Sequence, residues 1–135
     1  MPQQMTKATD SEKITINLGY VDLGSVDLLV REGFYGNRTD FIRTAIRNQL
    51  ERHGEAARAS TRRRQLQLGL CHFSASDLEA ARDAGQLLDI RVLGLATIAA
   101  DVTPELARAA IGSLTVLGAL HAEPAVKAAL ADRIA

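Results

Sequence analysis

Apolar and polar side chains alternate along residues 13–18, with Ile14, Ile16 and Leu18 on one side of the chain and Lys13, Thr15 and Asn17 on the other. A period of two predicts a β-strand with one face turned to a core. After Gly19 the pattern changes to helical spacing. Val26, Leu29 and Val30 predict a short helix from about Asp22, as its cap, to Glu32, with Gly33 as the C-terminal punctuation. A second helix is expected after Gly36, with Asn37 or Thr39 as its cap. Phe41, Ile42, Ala45, Ile46 and Leu50 form its apolar stripe, which runs to about His53 before Gly54 interrupts it. The residues before the strand, 1–12, lack periodicity and are expected to be a flexible tail.

Residues 55–65, with Arg62, Arg63 and Arg64, are expected to be a linker or a helical extension. Beyond them the chain repeats weakly. Leu66–Cys71, Ile90–Ala96 and Leu114–Leu120 each place an apolar run around a glycine, Gly69, Gly94 and Gly118. Each run precedes an Ala-rich helical stretch: Asp77–Ala84, Pro104–Ile111 and Pro124–Ala131. The prolines stand at first helical positions, where their missing N–H costs nothing. The expected fold class is therefore α+β: a strand-helix-helix unit over 13–54, then a domain over 66–135 of about three strand-helix repeats, possibly a short solenoid.

The net charge is zero, but it is unevenly divided. Residues 1–64 hold eleven Lys and Arg against eight Asp and Glu, a net +3, and residues 65–135 hold five against eight, a net −3. The first half suits a polyanion and the second does not. No apolar run reaches the roughly 18 residues that span a bilayer, and residues 1–13 have no secretory h-region, so a cytoplasmic protein with no membrane partner is expected.

Six strand residues and two short helices bury too little surface to fold alone, and the strand would expose a hydrogen-bonding edge. A second copy solves both problems. Antiparallel pairing of two such strands brings Ile14, Ile16 and Leu18 of both chains onto the helices, where Phe41, Ile42 and Ile46 complete a dimer core. Lys13, Thr15 and Asn17 of both chains then project outward on a two-stranded ribbon of the width that enters the DNA major groove. Lys donates to guanine, Asn pairs with adenine, and Thr offers a hydroxyl and a methyl, so these three are the candidate base readers.

Lys13-Ile-Thr-Ile-Asn-Leu18, the glycine-ended first helix and Gly33-Phe-Tyr-Gly-Asn-Arg-Thr-Asp-Phe-Ile-Arg43 together resemble the ribbon-helix-helix family of bacterial and phage regulators of the Arc, MetJ and CopG type, over residues 13–53. The resemblance implies an obligate homodimer on double-stranded DNA, base reading from the ribbon, and a phosphate held at the start of the second helix by Asn37, Arg38 and Thr39. It implies a transcriptional repressor associated with the nucleoid. One departure is Gly19-Tyr-Val-Asp-Leu-Gly24, a glycine-bearing entry to the first helix.

The C-terminal half bears no such resemblance, and its unpaired strand edge and apolar faces are expected to drive higher-order homo-oligomers. An antitoxin that binds a toxin protein, a ligand- or metal-sensing regulator and a DNA-coating protein are the alternatives. Cys71, His72, His53 and His121 are too few and too scattered for a converging metal site, so no metal, no cofactor and no catalytic residue is expected.

Overall fold

The computed structural model describes residues 11–135, which contain six helices and three strands. They divide into two compact units, one through Arg58 and the other Ala59–Ala135. The expected tail, residues 1–12, lies almost entirely outside the described residues.

In the first unit, residues 11–19 form neither helix nor strand, so the strand expected over 13–18 is not formed within one chain. The physical reason is the one that demanded a partner: a strand is completed by a hydrogen-bonded neighbour, and this segment has none in its own chain among the described residues. Helix α1 spans Tyr20–Arg31, starting two residues earlier than expected. Gly19 is its N-cap and makes no side-chain cap bond, so Asp22 does not cap but sits in the first turn, where its charge favours the helix dipole. The helix ends as expected: Gly33, at φ +90°, lets its own N–H reach Val30 O and the Phe34 N–H reach Leu29 O.

Helix α2 spans Arg38–Arg52. Of the two candidate caps, Asn37 is the one used, its Oδ1 accepting from the Asp40 N–H at 2.8 Å. Gly54 does not end the helical path. It opens a third helix, α3 (Gly54–Arg63). That helix closes at Gln65, which takes a left-handed φ of +56° while Leu66 N–H donates to Thr61 O.

The second unit alternates strand and helix: β1 (Gln67–Phe73), α4 (Ala75–Asp83), β2 (Leu88–Ile98), α5 (Pro104–Ala110), β3 (Ile111–His121) and α6 (Pro124–Ala129). The strands are parallel in the order β1-β2-β3, and the three glycines share one row, Gly69 beside Gly94 beside Gly118. Each of the three apolar runs around a glycine overlaps a strand, and each of the three Ala-rich stretches overlaps a helix. Ser74 caps α4, in a reciprocal arrangement in which Asp77 N–H reaches Ser74 Oγ and Ser74 N–H reaches Asp77.

The core lies between the sheet and its helices. Leu78, Leu106, Ala107, Ala110, Val126 and Leu130 from the helical side meet Ile90, Val92, Ala96, Ile98, Ile111 and Leu114 from the strands. Leu95 is also buried but stands outside that cluster, and its register partners are Leu70 and Ala119. The adjacent row across the glycines is Leu68, Leu93 and Leu117, in which Leu68 and Leu117 are exposed. The sheet is thus apolar on both faces, and one of them is incompletely covered. No described helix is long and apolar enough to cross a membrane.

Candidate nucleic-acid interface

The first unit has an unfinished interior. Among its described residues only Val26 is fully buried, and neither α2 nor α3 buries a single residue. What stands in place of a core is an open concavity of about 990 Å³, lined by Ile14, Ile16, Leu18, Val26, Leu29, Phe41, Ile42, Ala45 and Ile46 among others. All six residues named as a dimer core from the sequence line it. Ile14 is 71% exposed and Ile16 56% exposed, although both sit on its apolar wall. Exposed apolar side chains gathered around one hollow are the usual mark of an interaction surface or a binding groove.

The alternation read from the sequence persists here in altered form. Thr15 and Asn17 take no part in the lining, whereas Lys13 borders the hollow beside Glu12. Two of the three candidate readers therefore lie outside the lining, and the third sits at its rim. All three are exposed.

At the start of α2, residues 37–40 form a compact polar end. Asn37 Oδ1 takes the Asp40 N–H, and the Asp40 carboxylate takes the Gly36 N–H at 2.9 Å. The N–H groups of Arg38 and Thr39, in the first turn, have no intrahelical acceptor. Together with the helix dipole they favour an anion, although the Asp40 carboxylate in the same turn opposes one. Tyr35 packs edge-on against Phe41 at a centroid distance of 5.0 Å, which fixes the preceding turn against the helix.

Arg38, expected on phosphate, is engaged within the chain. Its Nε and a terminal nitrogen donate to the two oxygens of Asp27 on α1 at 2.7 and 2.8 Å. This forked bond holds the Asp27 carboxyl below its usual range and raises the guanidinium. A guanidinium carries five N–H groups, and the fork occupies two of them. Asp27 is the site residue that the sequence reading missed. Its only signal there was an acid at the border of α1's apolar stripe, which names no partner.

Arginines occupy exposed positions of α2 and α3: Arg43, Arg47, Arg52, Arg58, Arg62 and Arg63. Arg58 stands 3.9 Å from Glu55, and Arg63 donates to Ser60 at 3.0 Å. In the second unit, Cys71, His72 and His121 form no group of three or more metal-binding side chains with one another or with nearby acids, among the described residues.

The model of the Ribbon-Helix-Helix transcriptional regulator family matches residues 9–127. The chain belongs to that family. The match reaches well past the strand-helix-helix unit, so in this ribbon-helix-helix regulator the sheet of the second unit is part of the family pattern rather than an unrelated appendage. No curated protein and no solved structure matches the chain.

Proposed function

We propose that this ribbon-helix-helix regulator is a sequence-specific repressor that works as a homodimer on double-stranded DNA. The observation that carries the proposal is the hollow lined by Ile14, Ile16, Leu18, Phe41, Ile42 and Ile46 in a unit with one fully buried residue. A second copy laying its own 13–18 segment antiparallel to the first fills that hollow and completes a ribbon. Thr15 and Asn17 of both copies then face the major groove with Lys13 at the ends of the ribbon, where its long side chain reaches a base or a neighbouring phosphate.

The free N–H groups at the start of α2, with Asn37 and Thr39, receive a backbone phosphate. Arg38 reaches the same phosphate with the donors that Asp27 leaves open. Bound over a promoter, such a dimer competes sterically with polymerase. The second unit joins dimers through its leucine rows, so that neighbouring dimers bind together. Its packed core argues against the antitoxin alternative, in which a segment that folds on a toxin is usually polar.

Selection of bound fragments from a random DNA library tests this reading. Enrichment of a site with two inverted half-sites supports it, because a two-fold protein reads a two-fold sequence. Recovery of fragments with no shared sequence contradicts it.

A further inference from the structure

The sheet of the second unit has two edges, and the chain treats them differently. The edge of β3 is closed over its first part by the chain's own last residues. Leu114 N–H donates to Arg133 O and Ala135 N–H to Leu114 O, both at 2.9 Å, and the Arg133 guanidinium donates to the Ile111 and Arg108 carbonyls. No described residue pairs with the outer edge of β1.

That open edge lacks the devices that usually protect one. Gln67-Leu-Gly-Leu-Cys-His-Phe73 contains no Lys, Arg, Asp, Glu or Pro. Leu68 is 68% exposed and Leu70 74% exposed. The Phe73 carbonyl accepts from Ala99 and so faces inward, which by alternation turns the N–H and C=O of Leu70 and His72 outward.

Gly69 adds a second, independent observation. It has the positive φ of Gly94 and Gly118, at +112° against +142° and +122°. A Cβ on Gly94 would overlap the Gly69 carbonyl oxygen, and one on Gly118 would overlap the Gly94 carbonyl oxygen, so at both sites the glycine admits a neighbouring backbone. At Gly69 the same space is empty.

We propose that the β1 edge pairs with the β1 edge of a second copy of this chain, antiparallel about a two-fold axis, joining two three-stranded sheets into one of six strands. The inference rests on the dimeric reading above, because the first unit supplies the second copy at an effective concentration far above that of free chains. Two-fold symmetry pairs like with like, and the uncharged β1 offers no repulsion to its own copy. The head-to-tail alternative, β1 of one copy on Val116–His121 of the next, repeats without closing, whereas the two-fold pair is complete within the dimer.

The test is amide hydrogen exchange by NMR on the full chain, together with intermolecular NOEs in a sample mixed from labelled and unlabelled copies. The Leu70 and His72 amides are expected to exchange at least about 100-fold more slowly than unpaired edge amides and to show NOEs to the other copy's β1. The Leu68→Lys, Leu70→Lys double variant should lose both signals while Val92 stays protected, which shows that the unit is still folded. Fast exchange at Leu70 and His72 in an assembled wild type overturns the inference, as does protection with NOEs only within one chain. A wild type that sediments as a monomer overturns the dimeric reading itself.

Discussion

Gly94 and Gly69 lie side by side on neighbouring parallel strands, so close that a side chain on Gly94 would have to occupy the position of the Gly69 carbonyl oxygen. Gly118 stands in the same relation to Gly94. The weak repeat of about 24 residues is thus a row of backbone contacts, and the row predicts an unequal response to substitution. Gly94→Ala and Gly118→Ala combine left-handed backbone strain with an overlap that only a shift of the strands relieves. Each should destabilise the second unit by at least about 3 kcal/mol. Gly69→Ala meets no neighbour within its own chain and should cost only the strain, about 1–2 kcal/mol. Denaturant melts of the three variants check the order.

Asp27 and Arg38 join the two helices that frame the hollow, and the carboxylate offsets the charge that the guanidinium presents to a phosphate. Asp27→Asn should remove that offset, tighten binding to DNA of any sequence and steepen its salt dependence by up to about one unit of log–log slope, the order expected for one phosphate neutralised in full. Titrations of wild type and variant across a range of salt concentrations read both effects.

Acid should unfold the protein through its carboxylates. Asp27, Asp77, Asp89 and Asp132 are held below their ordinary value near 3.8, chiefly by hydrogen bonds from Arg38, from the Ser74 backbone, from Ser113 and from Arg108 respectively. A carboxyl lowered in the folded state contributes stability that is fully present above its unfolded value and is lost as pH falls through its folded one. Stability should therefore be insensitive to these groups between pH about 7 and about 5 and should decline below about 4. Asp27→Asn and Asp132→Asn should each make that decline shallower, as thermal melts at stepped pH would show.

The strand-helix order of the second unit was legible because glycines, prolines and apolar runs punctuate it strongly, and Pro104 and Pro124 do begin α5 and α6. The apolar lining of the hollow was legible as a clean change of period, from two to 3.6, at Gly19. Four features were not. Helix α1 starts at Tyr20 behind Gly19, an N-cap that makes no side-chain bond, so no capping residue marks the start in the sequence. Helix α3 has no apolar stripe and buries nothing, so periodicity had no purchase on it, although its Glu, Ala and Arg residues are helix formers. The closure of β3 by Arg133–Ala135 and the Asp27–Arg38 fork are long-range pairings, and no local pattern encodes which distant residue completes a bond.

The apolar hollow predicts its own disruption. Ile46→Glu places a charge on a wall that a second copy must cover, and an unpaired charge there costs several kcal/mol. Sedimentation should show a shift from dimer toward monomer, with loss of DNA binding, while circular dichroism retains the signal of the second unit.

The central claim is that the outward residues of segment 13–18 read bases, and the most direct test is the affinity of wild type and of the Lys13→Ala, Asn17→Ala variant for the selected site and for a scrambled one at two salt concentrations. The account predicts that wild type prefers the selected site and that the variant loses the preference while keeping salt-sensitive binding to both. A variant that discriminates as well as wild type would contradict it.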